Sequence, residues 1–193
     1  MSNTSATGGC LTPTTGLLDD QALRRFLQAM IAGVTGLDGS LVRPLWQPNP
    51  PKQPDIGTNW IAFGITEQRP DANPFHKSNG NGSGAIVIRH EELDVRCSCY
   101  GPDCTKHTGH LREALYLAQN RENLFSAGMG LVGFSDTVHA PELINERFFD
   151  RADITMTLRR EIRREYPILN FVGAYGTIVA NRATETLSIN WSA

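Results

Sequence analysis

The chain predicts an α+β fold: a mostly antiparallel sheet with two main helices packed on one face, a long hairpin and extended terminal arms. Three observations carry this. Apolar residues recur at helical spacing over 23–34 and again after Asp103. Strict two-residue alternation runs through 92–99 and 151–158. The order is helix, strands, helix, strands, which sets helices on one side of an antiparallel sheet rather than threading them between parallel strands.

The 193 residues suit one domain with room for arms. Residues 1–16 are rich in Ser, Thr and Gly and read as a flexible N-terminal arm. Residues 17–180 form the single domain, and 181–193 a C-terminal strand or arm. The first helix is capped by Asp19 or Asp20, whose carboxylate accepts bonds from the free N–H groups of the first turn. Leu23, Phe26, Leu27, Met30, Ile31 and Val34 then make one apolar stripe. Gln21, Arg24, Arg25 and Gln28 take the opposite face, and Gly36 is the stop. Five prolines between 44 and 54 forbid helix and discourage strand pairing, so 44–57 is an extended connector.

Trp60–Thr66 reads as a strand with two largely apolar faces, as in a central or interface strand. The run RPDANPFHKSNGNGSG over 69–84 predicts a long mobile loop. A second strand covers Ala85–Tyr100: Leu93, Val95, Cys97 and Cys99 alternate with Glu92, Asp94, Arg96 and Ser98, and its length suggests a hairpin projecting past the sheet. Gly101-Pro102 ends it. Asp103–Asn120 is the second helix, extended through Ala127 and stopped at Gly128. Residues 129–138 form a third strand and 139–145 a connector. Arg151–Leu158 alternates cleanly and runs on into the charged RREIRREY; 168–193 gives a final strand and an arm.

The net charge of −2 hides no large basic or acidic block, so bulk attraction to DNA or to an anionic membrane is not expected. No apolar run approaches the ~18 residues of a membrane helix, and the N-terminus lacks the basic start and apolar stretch of a secretory signal. Four cysteines are too few for a disulfide scaffold and fit a reducing cytosol.

Cys97, Cys99, Cys104, His107 and His110 are the sharpest chemical cluster. Thiolate and imidazole are the ligands of structural zinc, but the paired C-x-x-C knuckles of strong zinc sites are missing. The competing reading puts Cys97 and Cys99 on an apolar strand face as small hydrophobes. Cys104 with His107 is a second candidate, a nucleophile and base at a helix start as in a small cysteine hydrolase; an orienting third group and an oxyanion hole are not visible. The run GNGSG lacks the Lys-Ser/Thr of a phosphate loop. Glu91 and Glu92 face opposite sides of a strand and make no acid/base dyad. No cofactor is expected. Arg159, Arg160, Arg163 and Arg164 interleave with Glu161 and Glu165. They read as a solvated edge or an inter-subunit salt-bridge belt, with a phosphate-tracking patch as the alternative.

Several stretches carry a resemblance: LRRFLQAMIAGVTGLDGSLVRPLWQPNPP, NWIAFGITEQRPDANPF, HEELDVRCSCYGP, QNRENL and APELINERFFDRADITMTLRREIRREYPILNF. In this order and spacing, over roughly 20–175, the chain resembles the phage neck terminator or tail terminator proteins. The resemblance implies a structural virion protein and no enzyme: a subunit of a ring, usually a hexamer, that caps the tail tube at its final length and meets the head-tail connector. Its implied partners are copies of itself, the tail tube protein, the connector or adaptor protein and DNA passing through the lumen, with no membrane. Its place is the virion neck, reached from the host cytoplasm during assembly. Another head-tail completion or adaptor position is the neighbouring alternative. Expected contact residues are Phe75, His76 and Lys77 in the 69–84 loop, and Arg159, Arg160, Arg163 and Arg164.

Overall fold

The computed structural model describes residues 3–14, 20–80, 84–144, 146–169, 179–180 and 183–184. The chain divides into two compact units. The larger comprises residues 18–72 and 90–161, the smaller 1–17, 73–89 and 162–193. The α+β fold class holds: among the described residues three α-helices accompany a mostly antiparallel sheet.

In the larger unit, α1 (Asp20–Thr35) buries Leu23, Leu27, Met30 and Ile31, the stripe predicted from spacing. Gly36 follows at φ 72° and donates its N–H to the carbonyl of Ala32 at 2.9 Å, which closes the helix. Gln28, on the polar face, donates from Nε2 to the carbonyls of Gly39 (2.9 Å) and Val42 (2.8 Å). That side chain ties the helix to β1 (Val42–Pro44), which pairs parallel with β2 (Trp60–Pro70). The proline-rich stretch beyond β1 carries neither helix nor strand.

The sheet order is β1-β2-β4-β9-β5, with β4 spanning Ala85–Tyr100, β9 Arg151–Tyr166 and β5 Met129–Phe134. β2 runs antiparallel to β4, and β5 antiparallel to β9. Odd residues of β4 from Leu93 to Cys99 and even residues of β9 from Ala152 to Leu158 are buried. With Ile61 and Phe63 of β2 they form the floor of one core, roofed by α1, α2 (Cys104–Ala114) and α3 (Ala118–Ser126). Each fully buried leucine contributes about 1.5–3 kcal/mol of transfer free energy.

The second predicted helix is broken at Leu115–Leu117, giving three helices rather than two main ones. Leu115 and Leu124 are both fully buried. Nine residues apart, they would stand roughly 180° apart on a straight helix. The break turns both toward the core and leaves Tyr116 and Leu117 exposed. Asn120 Nδ2 caps the freed carbonyl of Ala114 at 2.8 Å. Gly128 takes φ 68° after α3, the stop the sequence predicted.

The stretch predicted as one strand over 129–138 ends at Phe134. Val138–His139 forms a separate β6 on β9. A two-stranded ribbon begins in the predicted connector: β7 (Glu142–Ile144) lies within it and pairs with β8 (Arg147–Phe149) just beyond it.

In the smaller unit, the segment predicted as a mobile loop over 69–84 is partly strand. Arg69 and Pro70 complete β2 of the larger unit, while Phe75–Ser78 forms β3, paired antiparallel with Ala85–Ile88 of β4. Residues 81–83 lie outside the described residues. Strand pairing overrides the Gly, Asn and Pro composition because β4 extends far enough to supply a partner. Residues of the predicted N-terminal arm hydrogen-bond to the end of β9 and beyond. Thr14 N–H donates to Glu165 O at 2.8 Å, Ser5 N–H to Pro167 O at 3.2 Å, and Leu169 N–H to Ser5 Oγ at 2.7 Å. Of the predicted C-terminal strand and arm, only Val179–Ala180 and Ala183–Thr184 are described beyond Leu169, as an antiparallel pair; the rest lies outside the described residues.

Leu27 is fully buried in the α1 stripe. Leu27→Ala is expected to lower unfolding free energy by about 2–5 kcal/mol, read by urea denaturation. A loss under about 0.5 kcal/mol, the range of ordinary surface substitutions, would show that α1 does not roof this core.

Candidate interaction surfaces

The sheet of the larger unit has a second face, built from the residues that alternate with the core. Before Ile65, the odd residues of β2 face the core. At Thr66 the register with β4 slips by one residue: Ile65 lies opposite Val95, but Glu67 lies opposite Asp94. This β-bulge reverses the phase of the strand. Without it, Glu67 and Arg69 would share the side of Phe63. With it, they join Glu92, Asp94 and Arg96 of β4 and Asp153, Thr157 and Arg159 of β9 on the polar face.

That face is an ionic lattice of two clusters, one around Arg69, Asp94 and Arg159 and one around Arg151 and Asp153. Arg69 donates to both oxygens of Asp94 at 2.6 and 2.9 Å and pairs with Glu67 at 3.0 Å. Thr157 Oγ1 donates to Asp94 at 2.8 Å. Arg159 reaches Asp71 at 2.9 Å and Glu92 at 3.4 Å. Arg151 holds Asp153 through two bonds of 2.8 and 2.9 Å and pairs with Glu142 of the ribbon, while Arg96 pairs with the same Asp153. At one end Trp60 stacks on Tyr100, ring centroids 4.2 Å apart, with the Arg151 guanidinium 5.5 Å from the tyrosine centroid. Such cation–π contacts add about 0.5–2 kcal/mol.

The Arg69 guanidinium holds the Asp94 carboxyl below its ordinary value, and Thr157 adds to this. For Asp153, burial is the largest influence and pushes upward. Hydrogen bonds from Arg151, Ser98 and Arg96 together outweigh it, so its pKa also lies below the ordinary value.

Each predicted contact residue can be located. Phe75, His76 and Lys77 are exposed on β3. Arg159 and Arg160 point to opposite sides of β9. Arg159 belongs to the ionic lattice. Arg160 turns to the core side, where its Nε donates to Glu91 at 2.6 Å, both side chains almost fully buried. Arg163 is exposed and Arg164 half-buried, both in the smaller unit. Glu91 and Glu92 face opposite ways, as alternation requires.

Cys97, Cys99 and Cys104 are buried free thiols within the core. Burial pushes the Cys97 thiol up to about 12 and raises Cys99 as well. Thiols buried in apolar surroundings, as Cys97 and Cys99 are, serve poorly as metal ligands or nucleophiles. Burial also lowers the pKa of His107, whose Nδ1 has no hydrogen-bond partner among the described residues. Among the described residues no three His, Cys, Asp or Glu side chains are arranged to hold a metal.

Two apolar features escaped the sequence reading. On the β7–β8 ribbon, Leu143 and Phe148 lie directly opposite each other, 63% and 69% exposed. The sequence reading makes 139–145 a connector, which takes in Leu143, and assigns no element to Phe148. Across the sheet, a groove of about 370 Å³ lies between the first turns of α1 and the β1–β2 edge. Trp46, also largely exposed, lies over Gly64, where a Cβ would come within 2.7 Å of its ring.

Glu91→Ala strands Arg160 as a buried unpaired charge and is expected to cost about 3–5 kcal/mol. Glu91→Leu with Arg160→Met should recover most of that loss in denaturant titrations. A double variant as unstable as the single would show that the pair is not what the burial penalises. Asp94 and Asp153 bind protons less readily folded than unfolded. Their stabilisation is therefore complete above the unfolded value of 3.8 and is lost as pH falls through the lower folded values. Asp153→Asn should flatten the fall in unfolding free energy below about pH 4; an unchanged acid limb would contradict the assignment.

A family model described as phage neck terminator protein matches residues 21–182. No curated protein matches the sequence.

Proposed function

The chain belongs to the phage neck terminator family, and from that membership we propose that it is a ring subunit which terminates the tail tube and joins it to the head connector. It is a component of the phage virion, and it acts with other tail and head proteins. The finer reading is a closed homo-oligomeric ring, a hexamer in the resemblance drawn above, with tail tube protein on one side, connector or adaptor protein on the other, and DNA passing through the lumen.

The observation that carries this reading is the match over residues 21–182, which spans nearly all of the larger unit and much of the smaller. The surface chemistry supports it. A subunit of a ring must present two different complementary surfaces, since a head-to-tail contact closes only by repetition of an unlike pair. Exposed large apolar side chains lie at several separate places: Trp46, Phe75, Tyr116, Phe125, Leu143 and Phe148. Of these, Leu143 and Phe148 are direct cross-strand neighbours, and contiguous exposed apolar surface marks protein contact.

The strand Phe75–Ser78 is proposed as one contact with a neighbouring virion protein, with Phe75, His76 and Lys77 as its anchors. Arg159, Arg163 and Arg164 are proposed as part of the belt between subunits rather than a track for DNA phosphate, while Arg160, almost fully buried against Glu91, is not part of it. In support, Arg159 and Arg160 are already engaged by Asp71, Glu92 and Glu91 of the same chain, which leaves little net positive field there.

Electron microscopy of particles from phage lacking this protein is expected to show overlong tails, or tails detached from heads. Normal, fully joined virions would overturn the terminator function. Cys104→Ala is expected to leave virion assembly intact, and loss of infectivity with a normally folded variant would point to thiol chemistry instead.

A further inference from the structure

We infer that the ring contact is a ribbon-in-groove joint: the β7–β8 ribbon of one copy seats Leu143 and Phe148 in the α1–β2 groove of the next. The inference rests on the ring reading above and specifies which two surfaces meet.

The ribbon is anchored to the sheet at both ends. Its first strand is tied to the sheet by the Glu142–Arg151 ion pair. On the way into it Ala140 N–H donates to Arg151 O at 3.0 Å, and on the way out Asp150 O accepts from Gly101 N–H at 3.0 Å. What it holds out is a cross-strand apolar pair exposed to water, an arrangement that is unfavourable until something covers it. Beside the pair stand two exposed charges of opposite sign, Glu146 and Arg147. Neither has an ion pair among the described residues.

The groove offers the complement. Leu45 and the largely exposed Trp46 supply its accessible apolar surface, since Leu23 and Phe63 are buried, and Thr66, Glu67 and Gln68 add a polar part to the lining; its volume falls within the roughly 300–1,000 Å³ of ligand clefts. Its rim carries Asp20 and Arg24, again one charge of each sign without an ion pair among the described residues. Arg147 therefore has an acid to meet, and Glu146 a base. The rest of this surface is different: the lattice arginines already have carboxylates of their own chain.

Position decides the occupant. The groove lies at the β1–β2 edge of the sheet, while the ribbon leads into β9 beside β6, on the other half of the strand order. With strands ~4.8 Å apart, three strand spacings separate β1 from β9. Knob and socket thus sit at different places on one unit, the groove at the β1–β2 edge and the ribbon at the end where β4 finishes and β9 begins. Two unlike surfaces of this kind are what a head-to-tail contact repeats, so the occupant of the groove is a second copy of this chain.

The test is native mass spectrometry with sedimentation velocity on concentrated full-length protein. Three forms are compared: wild type, Phe148→Asp in the ribbon and Leu45→Asp in the groove, each checked for a native circular-dichroism spectrum and thermal transition. Wild type is expected to form closed oligomers. Each variant alone should be monomeric, with at least a tenfold loss of self-association. Mixed together, the two should form a dimer and nothing larger, because one intact groove meets one intact ribbon. Should Leu45→Asp fail to fold, the rim swap Asp20→Arg with Arg147→Asp takes its place: each alone weakens association and the two in one chain restore it. Oligomers indifferent to these changes would overturn the joint and leave the ring standing. A wild type that stays monomeric would overturn both.

Discussion

The pairing of β4 with β9 is the constraint on which the rest of the larger unit depends. Two long strands that alternate in strict phase create two unlike faces at once. One face collects Leu93, Val95, Cys97, Cys99, Ile154, Met156 and Leu158 and calls for a roof of helices. The other collects Glu92, Asp94, Arg96, Asp153 and Arg159 and must satisfy its charges laterally. A slip of one residue would exchange the two faces throughout, burying carboxylates and exposing leucines. The bulge at Thr66 is the adjustment that lets β2 join this scheme, since its own alternation would otherwise send Glu67 and Arg69 into the core.

The parts of the fold legible in the sequence are those where a single local rule operates. The α1 stripe, the stops at Gly36 and Gly128 and the alternation of β4 and β9 all belong to this class. The break after Leu115 was not legible, because nothing in LYLAQN breaks a helix; it follows from two leucines on opposite sides of a continuous helix needing the same core. β3 was hidden for the opposite reason. Prolines and glycines surround it, and its pairing comes from the overlength of β4 rather than from its own residues. The contact residues were legible as types but not as geometry. Arg159 and Arg160 look alike in sequence, yet one lies in a half-open ionic lattice and the other in a buried pair. The ribbon bearing Leu143 and Phe148 carried only a faint signal, three residues a side.

Charge is used in two ways on this surface. Over the sheet, arginines and carboxylates neutralise one another within the chain, so the face is polar yet nearly silent at a distance. Around the ribbon and the groove, single charges stand beside apolar groups without an ion pair among the described residues. The first pattern gives a surface with little net field of its own. The second gives orientation: apolar contact supplies adhesion and the flanking pair fixes which way round the partner sits.

The hydrogen bonds from Ser5 and Thr14 to residues 165–169 join segments more than 150 residues apart. During synthesis at about 5–20 residues per second, the early segment emerges on the order of 10–30 s before its partners exist. The larger unit has all its strands once Glu161 has emerged, while the smaller unit must wait for the chain beyond it. Completion of this protein is therefore a late event in its own translation. A nascent copy would already carry the sheet, the groove and the ribbon before the segments around Ser5 and Leu169 have met.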